Sequence, residues 1–284
     1  MKKNLSLMAG LLALLVTLPP LNAQETNAVD PRILLGPAEA NLGGFAKVNV
    51  PVGHMFLDGN TIRERMESVG EPTSGDEVGF LRPTNGGWSV YFEYADVGYV
   101  KDDEKDKLDA PKLLKSLKKG NDAANEQRKR NGIPPLIIEG WQQEPKYDPV
   151  THNLTWCIRA TVQGEALLNY NTRLLSRKGY MSVTLVCDPD QLQTTLTDYN
   201  GLLAGYKFNT GDTYAEYKPG DKVAKYGLGA LVLGGAAVGA AKLGFFAWLA
   251  VFFKKGWKVI VIALVAIAAG AKKILNKITG NRPD

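Results

Sequence analysis

Few residues in this chain are of types that do chemistry, which narrows the reactions open to it. Only two histidines occur, His54 and His152. His152 closes the run Asp148-Pro149-Val150-Thr151-His152-Asn153, with Glu144 just upstream. A histidine paired with Asp148 or Glu144 is the pattern of a general base and the acid that orients it. The same run is a turn signal, because Asp and Asn side chains hydrogen-bond to the backbone two residues on. No G-x-S-x-G run supplies a nucleophile elbow for a hydrolase. H-E-x-x-H, C-x-x-C and Walker-type loops are also missing, so no cofactor is predicted.

Asp102, Glu104 and Asp106, with Asp96 and Asp109 nearby, form the densest group of oxygen ligands. A calcium loop of the EF-hand type needs Gly at its sixth position and Glu at its twelfth. Counted from Asp102, those positions hold Lys107 and Leu113, and Lys101, Lys105 and Lys107 neutralise the acids in place. The expectation is a solvated turn leading into a helix capped by Asp109, with no metal. The two cysteines, Cys157 and Cys187, fall on opposite faces of one sheet in the register inferred below, so a disulfide is not expected.

These residues must be held by surrounding elements. Ala46–Val50 and His54–Leu57 read as short strands, Thr61–Val69 as a short helix, and Trp88–Tyr94 as a strand with Trp88, Val90, Phe92 and Tyr94 on one side. Asp109 starts a highly charged helix to about Asn131, with Gly132 as its stop. Residues 24–40 read as a loosely packed lead-in.

The clearest pattern lies between Asn153 and Cys187. Leu154, Trp156, Ile158, Ala160 and Val162 alternate along a first strand, Ala166, Leu168, Tyr170, Thr172 and Leu174 along a second, and Met181, Val183, Leu185 and Cys187 along a third. With Gln163-Gly164-Glu165 as a three-residue loop and Arg177-Lys178 as a two-residue turn, all three sets share one buried face. Arg159, Asn169, Asn171 and Arg173, with Thr155, Ser182 and Thr184, then form a polar face suited to binding glycan, peptide or protein. Asp188-Pro189 starts a last helix, and Tyr206–Phe208 suits a short strand. The fold class expected is α+β, an antiparallel β-meander covered by helices on one side.

The two ends differ from this middle. Lys2 and Lys3 precede a short apolar run, Leu5–Leu18, and Ala23 marks a cleavage point, the pattern of a signal peptide over residues 1–23. At the other end, Tyr226–Phe253 is apolar with Lys242 as its one charge, and Val259–Ala271 forms a second, shorter run. About 20 apolar residues cross a bilayer, so the segment 222–284 reads as an anchor with either one span or a hairpin of two. Trp248, Trp257, Lys254 and Lys255 are residue types that settle at the membrane interface. Gly235 and Gly239 give the small-xxx-small spacing of close helix contact or self-association.

Charge follows the same division. The formal net charge of +5 hides a segment 222–284 at +9 and a middle, 24–221, at −6. Basic charge in and around an anchor suits anionic lipid headgroups, and an acidic domain argues against nucleic acid.

The runs VPVGHMFLDG (50–59), YVKDDEKDKLDA (99–110), GIPPLIIEGWQQEPKYDPVTHNLTW (132–156), NYNTRLLSRKGYMSV (169–183) and YAEYKPGDKVAKYGLGALVLGG (214–235) resemble a bacterial family known as a domain of unknown function in predicted membrane-anchored proteins. The likeness covers roughly residues 35–275. It implies an uncharacterised envelope protein and transfers no functional residues. The function expected is therefore a binding or scaffold domain (24–221) on the periplasmic face of the membrane, contacting lipid and another envelope protein or a second copy. The alternative is an envelope hydrolase acting on cell-wall or lipid-linked material through His152.

Overall fold

The computed structural model of the chain describes residues 30–234, apart from residues 70, 72 and 131. The readings made on the signal peptide, on Gly235 and Gly239, and on Trp248, Lys254, Lys255 and Trp257 fall outside the described residues. No helix among the described residues is long and apolar enough to cross a membrane.

The elements in chain order are strands β1 (Ile33–Leu35), β2 (Ala38–Leu42), β3 (Ala46–Val50) and β4 (His54–Asp58), helix α1 (Gly59–Ser68), strands β5 (Glu77–Pro83) and β6 (Trp88–Ala95), helix α2 (Ala110–Arg130), strands β7 (Leu136–Asp148), β8 (Asn153–Val162), β9 (Glu165–Leu175) and β10 (Tyr180–Cys187), helix α3 (Leu192–Ala204), strand β11 (Lys207–Phe208) and a short helix α4 (Leu228–Val232). Eight strands form one antiparallel sheet in the order β1-β4-β5-β6-β10-β9-β8-β7, and three form a second in the order β11-β3-β2. The α+β class and the meander β8-β9-β10 are as expected. Residues 30–42 are not a loose lead-in: they form β1 and β2, with Ile33, Ala40 and Leu42 buried.

The large sheet is buried on both faces, not on one. One face packs against α1, α2 and α4, through residues such as Ile62, Leu117, Leu154, Trp156 and Leu231. The other packs against the small sheet and α3, through Val48, Phe92, Val183, Leu185, Tyr199 and Leu202. β10 is accordingly buried at every residue, as a strand covered on both sides must be.

Helix α2 shows how a charged sequence docks. Its N-cap is Asp109, whose carboxylate accepts from Lys112 N at 3.0 Å. Its inner stripe starts apolar with Leu113 and Leu117 and then turns polar. Asn121 and Asn125 each donate to the Leu136 carbonyl at 2.7 Å, and Arg128 holds Glu71 through two contacts of 3.1 and 3.3 Å. Polar groups that are paired can be buried at little cost, so the helix needs few leucines.

The register of the meander corrects the expected sharing of faces. β8 and β9 are joined by two residues, Gln163 (φ 53°) and Gly164 (φ 91°), and Val162 faces Glu165. Two consecutive positive φ values are those of a type I′ hairpin. One residue fewer than expected in this loop inverts β8 relative to β9, because side chains alternate with period two. Leu154, Trp156 and Ile158 therefore lie opposite Arg173, Asn171 and Asn169, on the α2 face. The β9–β10 connection runs from Leu175 to Tyr180, two residues longer than expected, and an even difference leaves the faces unchanged.

Both cysteines consequently lie on the α3 face, in one cluster with Leu168 and Leu192. The expected placement on opposite faces is wrong, yet a disulfide remains out of reach. β9 separates them, and two strand spacings exceed the roughly 7 Å Cα limit of a disulfide. Burial pushes each thiol up to about 12. An Ellman titration is expected to find no reactive thiol in the folded protein and two after denaturation. One thiol or none after denaturation would overturn this geometry.

Candidate functional site

Three groups of side chains stand out, two of them containing residues singled out above.

The first is at the β7–β8 hairpin. Asp148 closes the turn, accepting from Val150 N at 2.9 Å and Thr151 Oγ1 at 2.8 Å. Those bonds hold its carboxyl below the usual range. Asp148 is thus a turn residue, and Glu144 is exposed. Neither orients His152. The turn leaves His152 at φ 55°, a left-handed conformation that costs a non-glycine residue, and presents its ring to Tyr147. The Tyr147 hydroxyl donates to Asp102 Oδ2 at 3.0 Å and lies 3.0 Å from His152 Nδ1. A phenol has one proton, so with that proton on Asp102 it accepts from His152 Nδ1–H. His152 Nε2 is then the acceptor of the neutral ring. The chain Asp102–Tyr147–His152 has the order of an orienting acid, a bridge and a base. Tyr214 packs on the imidazole at 4.4 Å, and Tyr99 stacks between Tyr214 and Tyr217 at 4.5 and 4.2 Å.

The acids of the 102–106 run do not converge. Asp102 serves Tyr147, and Glu104 lies against the backbone of Gly227. Among the described residues no three His, Cys, Asp or Glu are placed to hold a metal ion.

The second group is the expected binding face, which the register divides. Arg159 is on the α3 face, partly exposed and paired with Glu139 at 2.9 Å. Asn169, Asn171 and Arg173 are on the α2 face and are 0, 3 and 3 % exposed. They form a buried polar row, not a surface open to a partner. Asn171 is satisfied, accepting from Thr184 Oγ1 at 3.2 Å and donating to the Asn169 carbonyl at 3.0 Å.

The third group lies on the opposite side of the sheet from that row. A cleft of about 630 Å³ opens between the β5–β6 turn and the start of α3, lined by His54, Asn85, Trp88, Asp190, Gln191 and Asp198 among others. The rings of His54 and Trp88 are 5.4 Å apart. His54 Nδ1 lies 3.0 Å from the Val52 carbonyl, which can only accept, so Nδ1 carries the proton and Nε2 is left as an acceptor. The lining carries two carboxylates and no lysine or arginine. The cleft therefore offers an aromatic surface, planar amide and carboxylate groups and a negative field, which suit a neutral or cationic polar ligand.

Sequence reasoning missed this cleft. His54, Trp88 and Asp190 are far apart in the chain, and only the pairing of β4 with β5 and β5 with β6 brings the first two together. It also missed Tyr147, although a tyrosine five residues before a histidine across a tight turn is a signal that can be read.

A family model described as a protein of unknown function (DUF2167) matches residues 35–267. No curated protein matches the chain. Among solved structures, cyanobacterial PsbP (CyanoP) from Synechocystis sp. PCC 6803 is similar at 10 % identity and a TM-score of 0.40, covering 65 % of this chain and 96 % of its own. The Ran-binding protein Mog1p of Saccharomyces cerevisiae is similar at 10 % identity and a TM-score of 0.32, covering 61 % of this chain and 96 % of its own.

Proposed function

The chain belongs to the DUF2167 family, whose description carries no activity, and on that premise we propose that its folded domain is a binding module of the bacterial envelope. The observation that carries this reading is the cleft between His54, Trp88, Asp190 and Asp198. Its tools are those of recognition: a ring on which an apolar ligand face can lie, and carboxylates and amides that fix hydroxyl or amine groups. The proposed ligand is a saccharide or an amine-bearing wall fragment. The apolar runs after residue 226 and the basic charge around them support display of the module on the outer face of the cytoplasmic membrane.

The test is a thermal melt of the full chain in detergent against saccharides, amines and wall fragments. A ligand at ~100 Kd stabilises by about 2.7 kcal/mol, and Trp88→Ala is expected to remove that shift. A shift that survives Trp88→Ala moves the site elsewhere, and a melt that nothing moves counts against a small-ligand module.

A second reading, an envelope hydrolase, is favoured by the Asp102–Tyr147–His152 chain. If His152 is a general base, His152→Gln lowers turnover of a wall or lipid-linked substrate by about 10²-fold or more. Unchanged turnover sinks this reading.

A further inference from the structure

Arg173 sits near the end of β9, an interior strand of the large sheet, 3 % exposed, on the face under α1, α2 and α4. Its guanidinium carbon lies over two rings, 4.8 Å from the Trp156 centroid and 5.9 Å from that of Tyr180. Nε and Nη1 have no hydrogen-bond partner among the described residues. The indole Nε1 of Trp156, itself 1 % exposed, also lacks one, and so do both amide atoms of Asn169, 0 % exposed, four residues along the same strand. These groups lie on one face of two paired strands, with Trp156 directly opposite Asn171.

Burying a cation without a counter-charge costs several kcal/mol, and native proteins leave few buried donors unmade. Water can accept from a free N–H but leaves the charge uncompensated. Glu93, the acid nearest along this face, bonds to Ser182 Oγ at 3.3 Å and is not within ion-pair distance of Arg173. Burial pushes its carboxyl up to about 7 although Arg173 pulls it down, so near neutral pH it compensates the guanidinium only in part and from beyond ion-pair distance. The unmet groups at this cation, Arg173 Nε and Nη1 and the indole N–H of the adjoining Trp156, are all donors, the donor set that recognises an oxyanion.

We infer that the α2 face holds a binding site for a small oxyanion, a carboxylate or phosphate group, taken by the edge of Arg173 with the Trp156 indole N–H as second donor. This site lies across the sheet from the cleft proposed above and stands or falls separately from it.

The experiment is a thermal melt of the full chain in detergent with sodium phosphate or sodium acetate against sodium chloride at equal ionic strength. The expected result is a saturable rise in Tm with phosphate or acetate. Arg173→Met is expected to abolish the rise while melting in chloride no lower than the parent, since an apolar replacement of a buried unpaired charge is neutral or stabilising. Trp156→Phe keeps the ring and removes the donor, and is expected to weaken the anion about 10-fold or more, the usual worth of a hydrogen bond to a charged group. That variant keeps the test open if Arg173→Met does not fold. No saturable rise, or a rise of equal size and midpoint in both variants, overturns the site and leaves Arg173 a structural residue satisfied by water.

Discussion

Leu231→Ala is expected to destabilise the domain by about 2–5 kcal/mol, the range for deleting a fully buried leucine. Cutting the chain after residue 221 is expected to abolish cooperative folding. Leu228, Leu231 and Val232 are 0, 0 and 1 % exposed and share the core with Ile62, Leu117 and Trp156. The strand-like stretch before them is tied in as well. Tyr99 N donates to the Lys222 carbonyl at 2.8 Å, Ala224 N donates to the Tyr99 carbonyl at 2.9 Å, and Arg177 grips Asp221 through two contacts of 2.7 Å. Removing three buried apolar side chains at once approaches the whole stability of a typical domain, about 5–15 kcal/mol. Urea unfolding of the parent, of Leu231→Ala and of the truncated chain measures this directly. A truncated chain that unfolds in one steep transition at the parent's midpoint would show that α4 contributes nothing. The packing runs past residue 221, so a fragment made for ligand work has to extend to residue 234.

Glu93→Gln is expected to flatten the pH dependence of stability between about pH 4.5 and 7. Burial raises the Glu93 carboxyl from the usual 4.5 to about 7, with Arg173 pulling it down and Glu77, its cross-strand neighbour, pushing it further up. A raised carboxyl holds its proton in the folded state where the unfolded chain has lost it. The stabilisation is therefore complete below about pH 4.5 and is lost as pH rises through about 7. At 1.36 kcal/mol per pH unit the full effect would be about 3 kcal/mol. Glu93 is partly exposed, and solvent screening reduces this to about 1–2 kcal/mol. Glutamine never ionises, so the variant should match the parent near pH 4 and exceed it by that amount near pH 8. Melts across this range are the measurement. An identical pH slope in parent and variant would mean that another group titrates.

The elements with strong local signals were readable from the chain alone. Asp109 caps α2, Trp88 to Tyr94 alternate along β6, and the three strands of the meander fall where the period-two pattern puts them. What failed was decided by a single residue. Counting Glu165 into the β8–β9 loop moves Arg159, Asn169 and Arg173 onto one face, whereas the type I′ pair Gln163-Gly164 separates them. The second hidden face has a related cause. Asn169, Asn171, Ser182 and Thr184 are polar, and polar alternation reads as exposure until the covering helices are known. β7 carries no regular period-two signal, because its pairing with β8 shifts three times and Pro145 interrupts it. Of the site residues, His152 is legible in the sequence and its partners are not, since the chain of contacts runs through Tyr147 to Asp102, 45 positions before that tyrosine.

β7 bears on how another molecule can attach. It is an edge of the large sheet and thirteen residues long. An edge of that length invites an incoming strand to extend the ladder. Each irregularity in β7, between Ile138 and Gly140, Trp141 and Gln143, and Gln143 and Lys146, twists the outward row of donors and acceptors out of line, and Pro145 offers no N–H at all. No stretch of this margin keeps an even register long enough to template a second chain. Recruitment at this border must therefore go through side chains instead of backbone addition, which protects a sheet of eight strands from polymerising along that border.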